Sequence, residues 1–299
     1  LLYDKPFIQA RSIPDLRIVD RLLHRESVDR VVTNCDGVVQ PNDMMALGAP
    51  TVNGYNSVFF QSYAAFTFLT MNNQIPLGTK QVRGITVDPT NPDRVPRRMD
   101  LLNMMNVTHV LACDPLQVPG FIEIDRRGGS TLYRNLNAWP RAVLTCGYEE
   151  VADQEAAIAR IRDPVFDLRE RSIVQIERQP PPETLQTVDG CHQNARVDVR
   201  IKDRPDGDVV ANVSAPRGGI VFLSEPYYPE RKAWVDGDAV PLYRANLAFT
   251  AAAVPPGTHT LELRYEPDSF RIGAAISGAA VIGWLVLLFA WRRTVRAER

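Results

Sequence analysis

The chain has 299 residues, with 34 Lys and Arg against 35 Asp and Glu, 45% hydrophobic residues and four cysteines. That composition excludes a disordered tail, a collagen-like repeat and a disulfide-dense mini-protein, and a formal charge of −1 gives nucleic acid no electrostatic foothold. Proline occupies 23 positions, above the usual ~5%, which favours short strands and loops over a long helical bundle.

Taken in chain order, residues 1–147 read as a mixed α/β domain. Asp29 to Thr33 is a strand candidate and Asn34 to Asn56 a polar loop. Ser57 to Met71 is apolar on most faces and too short to cross a bilayer comfortably, so it is expected to be a buried or interfacial helix. Gly78 to Arg98 reads as a loop and Met99 to Met105 as a short helix. Thr108 to Ala112 is a buried strand candidate, and Phe121 to Asp125, Ser130 to Arg134 and Arg141 to Thr145 are further short strands.

Residues 148–183 read as a bridge, with a helix over Val151 to Ile161 stopped by Pro164, then a strand over Arg171 to Ile176. The run Pro180-Pro181-Pro182 marks a boundary. Over 184–270 the period is two, clearest in Ala195 to Ile201, Asp208 to Val213 and His259 to Tyr265. Asp236-Gly237 predicts a hairpin whose second strand ends at Tyr243. Six or seven short strands at this spacing predict a small antiparallel β-sandwich. The fold class expected is therefore α+β.

Residues 272–291 are free of charge, and twenty helical residues span roughly 30 Å, the thickness of the bilayer hydrocarbon. Four arginines and one glutamate follow, giving a +3 tail over 292–299 and leaving −4 before it. The positive-inside rule places this tail in the cytoplasm and the bulk of the chain outside, at the inner membrane of a cell. The first half of the span is crowded with glycine, alanine and serine, which lets helices approach closely in lipid. The chain opens on Leu1-Leu2-Tyr3 without an initiator Met or signal peptide, and is expected to be the C-terminal piece of a longer protein.

The cysteines, Cys35, Cys113, Cys146 and Cys191, leave three pairings open, with unpaired thiols an equal alternative. No residue set has zinc spacing, so neither metal nor cofactor is expected. Two clusters suit a glycan. Asn53, Tyr55 and Asn56 close the polar loop, where amides hydrogen-bond hydroxyls and a ring stacks. The alternative is a glycine turn that caps the next helix through Asn56 or Ser57. Glu225, Tyr227 and Tyr228 with Trp234 set rings beside a carboxylate, the alternative being rings that close a core.

Phe222 to Gly273 followed by a membrane helix resembles the C-terminal end of the YfhO-like bacterial membrane proteins. The likeness runs through Tyr227-Tyr228-Pro229, Lys232, Asp236-Gly237, Arg244-Ala245-Asn246, Gly257, His259 and Tyr265-Glu266-Pro267. Weaker matches lie at Asn53-Gly54-Tyr55-Asn56, Leu101-Leu102-Asn103 and Trp139-Pro140-Arg141. Pro229-Glu230-Arg231 stands where the family usually has Pro-Gly-Trp, so any role of that Trp does not transfer. The family is similar to GT-C-type glycosyltransferases, which use a polyprenyl-phosphate-linked sugar. The resemblance implies acceptor docking or covering of an active site formed by N-terminal transmembrane helices that this chain lacks. It assigns no catalytic residue here. The partners it implies are membrane lipid, those helices, the lipid-linked sugar and a glycan or cell-envelope acceptor. The competing expectation is a non-catalytic, tail-anchored glycan- or protein-binding protein.

Overall fold

The computed structural model describes residues 29–34, 44, 49–53, 60–75, 84–88, 90–127, 129–176, 180–192, 195–201 and 208–297. Its class is α+β, with strands in three sheets and an apolar helix at the C-terminal end.

The first sheet is built from β1 (Arg30–Asn34), β2 (Val107–Ala112), β3 (Phe121–Arg127) and β4 (Ser130–Asn135), in the order β1-β2-β4-β3. β1 and β2 run parallel. Parallel neighbours need a long crossover, and it contains α1 (Gln61–Asn72) and α2 (Met99–Met104). α1 is apolar nearly all round, as a helix buried on several sides must be. It stops at Asn73, which takes a left-handed conformation and returns its N–H to the Leu69 carbonyl. Its N-terminal flank is Phe60, with no side-chain cap; the alternative cap residues Asn56 and Ser57 lie outside the described residues.

The chain continues through β5 (Ala142–Thr145), β6 (Tyr148–Val151), α3 (Gln154–Arg162), β7 (Ser172–Gln175), β8 (Arg196–Ile201), β9 (Val209–Ala215) and β10 (Gly219–Pro226). It ends with β11 (Arg231–Val235), β12 (Asp238–Val240), β13 (Leu242–Ala245), β14 (Phe249–Val254), β15 (Gly257–Tyr265) and α4 (Asp268–Ala297). The six-stranded sheet has the order β5-β10-β14-β13-β7-β6, and the five-stranded sheet β12-β11-β15-β9-β8.

Three details differ from the sequence-based expectations. The helix expected from Val151 begins at Gln154, where Asp153 caps it by accepting from the Ala156 N–H. Val151 instead closes β6, which pairs in parallel with β7. The hairpin strand expected to run to Tyr243 is broken by Pro241, which has no N–H for a ladder. β12 pairs with β11 while β13 pairs with β14 and β7, so the chain changes sheets at this proline. Strand pairing also crosses the expected boundary at 183/184, since β5, β6 and β7 share a sheet with β10, β13 and β14.

The core is continuous across the layers. β10 is buried along seven of its eight residues, between β5 and β14 in its sheet. Phe66 of α1, Phe222 of β10 and Phe249 of β14 meet edge to face with centroids 4.8 and 5.9 Å apart, and Trp139 packs on Phe222 at 6.1 Å. A fully buried ring of this kind contributes roughly 2–3 kcal/mol by removal from water. A disulfide joins Cys146, after β5, to Cys191; Cys113 is also disulfide-bonded.

α4 contrasts with all of this. Its residues from Asp268 to Leu288 have a mean hydropathy of 1.8, long and apolar enough to cross a membrane, and none of that window is buried against the rest of the protein.

Candidate functional site

A cleft of about 490 Å³ opens where the two larger sheets meet at the start of α4. Its position follows from local sequence. Asp236 and Gly237 both take positive φ, 53° and 94°, the requirement of a tight two-residue hairpin, and glycine accepts this without strain. The resulting register sets Ala233 and Val235 into the core and leaves Lys232 and Trp234 half-buried on the other side. Beyond Pro241, β13 buries Tyr243 and Ala245 and leaves Arg244 half-buried. Arg244 stands opposite Gln175 of β7. Asn246, fully buried, pins β7 by donating its N–H to the Ile173 carbonyl at 2.8 Å and accepting from the Ile173 N–H at 2.9 Å.

The lining combines cations with rings. Arg231, Lys232 and Arg244 contribute positive charge, and Tyr227, Trp234 and Tyr243 contribute aromatic surface. Lys232 pairs with Asp268, the first residue of α4, at 2.9 Å. The Arg244 guanidinium lies 4.9 Å from the centre of the Tyr227 ring, and Arg264 lies 4.6 Å from that of Trp234. These contacts hold the rings in place at ~0.5–1 kcal/mol each. Burial, and next Tyr148, push the Tyr243 hydroxyl up to about 12, so it remains a proton donor. Gln175 Oε1 is buried and accepts no hydrogen bond among the described residues.

Behind the cleft lies a buried ion cluster. Glu225 meets Arg141 Nε at 2.6 Å, Arg30 at 3.4 Å and Arg231 at 3.5 Å. Arg30 comes from β1 and also donates to the Met105 carbonyl at 2.9 Å and to the Ser224 hydroxyl at 3.2 Å, tying the first sheet to the second. Burial pushes the Glu225 carboxyl upward, but Arg141, Arg30 and Arg231 outweigh it and hold the group at about 2. Burial and the repulsion of Arg141 lower Arg30 to about 10 against the pull of Glu225. Glu225 is therefore a carboxylate at every physiological pH. Arg231 belongs to both places, since it lines the cleft and bonds the cluster.

Of the residues expected to meet a glycan, Tyr227 and Trp234 line the cleft. Glu225 lies in the ion cluster, and Tyr228 is outside the lining, edge-on to Phe60 at 4.8 Å and to Tyr265 at 6.4 Å. Asn53 spends its amide on the backbone of Ile85, donating to the carbonyl and accepting from the N–H at 2.8 Å. Tyr55 and Asn56 lie outside the described residues. Sequence reasoning gave no binding role to Arg231, Lys232, Arg244, Gln175 or Tyr243. The signal available for three of them was a cation placed beside an aromatic in an alternating strand. Elsewhere Cys146, Cys191 and His192 bring their ligand atoms within 4.8 Å of one another, but the disulfide removes the thiolates that a metal would need.

Residues 183–277 match the family model of the bacterial membrane protein YfhO. The C-terminal part of this chain is YfhO-like. The matched stretch runs from the segment before β8 into the first turns of α4 and includes every cleft residue named above except Gln175. No curated protein matches the chain. A YfhO-like part that leads into a helix of membrane-spanning length supports a membrane location.

Proposed function

We propose that this chain is the extracytoplasmic C-terminal region and last membrane span of a glycosyltransferase that uses a polyprenyl-phosphate-linked sugar, and that its cleft docks the acceptor. The observation that supports this is the composition of a cleft bounded by the first residue of the apolar helix. Sugar rings stack on Tyr227 and Trp234, and Arg231, Lys232 and Arg244 attract an anionic group on the ligand. On this reading the chain's own residues bind and orient, and bond-making belongs to spans at the N-terminal side of the protein.

A second reading, a tail-anchored glycan-binding protein without catalysis, draws on one feature. Among the described residues the cleft lining includes a single carboxylate, Asp268, and it is held by Lys232, which suits binding better than proton transfer. The test is calorimetry of the full chain in lipid nanodiscs against a neutral oligosaccharide and its phosphorylated counterpart. Binding of either, weakened about tenfold by Trp234→Ala or Tyr227→Ala, is the expected result. A folded protein that binds neither sinks both readings. Transfer of a labelled sugar by membranes that carry the full-length gene product separates the first from the second.

A further inference from the structure

Three aromatic rings from distant parts of the chain meet on one edge beside the foot of α4. Phe60 flanks α1, Tyr228 sits in the turn between β10 and β11, and Tyr265 ends β15. They form an edge-to-face series, Phe60 on Tyr228 at 4.8 Å and Tyr228 on Tyr265 at 6.4 Å. The outer members are open to the surroundings, Phe60 at 39% and Tyr265 at 43% exposure, and Phe270 in the first turn of α4 is exposed at 74%. In water such an edge is unfavourable, at about 25 cal/mol for each Å² of apolar surface left uncovered.

We propose that this edge rests in the headgroup layer of the bilayer that holds α4. The placement is dictated by the chain itself. Only Glu266 and Pro267 separate Tyr265 from Asp268, the first residue of α4, so at most roughly 10 Å of chain separates Tyr265 from the foot of the helix. Tyrosine and other amphipathic rings favour the headgroup level, with the ring among acyl-chain ends and the hydroxyl in the polar layer. Cations accompany them there. Arg231 lies 5.5 Å from the centre of the Tyr228 ring, and Lys232 reaches the helix at Asp268. Through Phe60 the same contact restrains α1, which packs by Tyr63 and Phe66 on Phe249. The bilayer surface thereby fixes how the sheets stand on the membrane, and it holds the cleft at headgroup level. The inference depends on α4 spanning the membrane and is independent of what the cleft binds.

Photocrosslinking in phospholipid vesicles tests it. The full chain is made with p-benzoylphenylalanine at position 60, 265, 270 or 165, the last an 87% exposed valine in the loop after α3. Phospholipid adducts identified by mass spectrometry are expected at 60, 265 and 270 and to be lost at 165. An adduct at 270 with none at 60 or 265 overturns the proposal while leaving α4 in the membrane. Crosslinks from 60 and 265 to protein instead of lipid overturn it as well, since the edge is then covered by polypeptide. Because positions 60 and 265 are both exposed, either variant alone keeps the test valid if the other fails to fold.

Discussion

Glu225→Gln is the sharpest probe of the buried cluster. The carboxylate faces three guanidinium groups, and it is held at about 2 against an ordinary glutamate value of 4.5. A displacement of that size corresponds to about 3 kcal/mol of preference for the charged form in the folded state. Removing one member of a buried ion pair costs ~3–5 kcal/mol, and the glutamine carbonyl restores about 1 kcal/mol by still accepting from Arg141. We expect the variant to lose about 3 kcal/mol at neutral pH. Arg30, lowered to about 10, loses more to burial and to Arg141 than Glu225 returns. The pH dependence has a definite sign. A depressed acid contributes its stability above its unfolded value, near 4.5, and loses it as pH falls through about 2. The gap between wild type and variant should therefore close across that window. Guanidinium unfolding in detergent micelles, followed by near-ultraviolet circular dichroism, measures it. A gap below about 1 kcal/mol at pH 7, or one that persists unchanged to about pH 2.5, refutes the reasoning.

Two other expectations follow from named contacts. The Cys146–Cys191 disulfide spans a sequence separation of 45, so Cys191→Ala should destabilise the oxidised protein by about 4 kcal/mol on chain-entropy grounds, read as a lower unfolding midpoint in the absence of reductant. His259 Nδ1 meets Asp236 at 2.7 Å, and that hydrogen bond raises the histidine above its usual 6.5. Its contribution is fully present below about pH 6.5 and is lost as pH rises through the raised value, so His259→Asn should flatten melting temperature against pH on the alkaline side of 6.5.

The strands that sequence reveals best are those with one wet face. β9 alternates because it puts every second residue into the core, β15 does so at Leu261 and Leu263, and β8 sets Val197 and Val199 half-buried against it. β10 carries no such period, since both of its faces are covered. β6 is four residues placed directly before a helix, and its pairing with β7 decides its state. The site is legible to a similar depth. Tyr227 and Trp234 stand out as rings in a polar setting, and both reach the cleft. Arg244 reaches it only because Pro241 moves the chain between sheets, which no local pattern announces. Glu225 and Asn53 have the chemistry for hydroxyl recognition, but their bonding capacity is taken by Arg30, Arg141 and the Ile85 backbone. Those partners lie 32 to 195 positions away in sequence.

The junction of β15 and α4 has a mechanical consequence. A nine-residue strand in the middle of its sheet meets a thirty-residue helix through Glu266 and Pro267 alone. One link residue is a proline with a fixed φ, and the other donates its N–H to the Glu230 carbonyl at 3.1 Å. Such a joint resists bending, so the helix acts as a shaft fixed to the sheet. A tilt imposed on the helix by bilayer thickness, or a rotation imposed by a neighbouring helix, reaches β15 as torque and is shared with β9 and β11 on either side. The cleft wall at Lys232 and Trp234 belongs to β11, so one ladder of hydrogen bonds is all that stands between that wall and the strand carrying the helix.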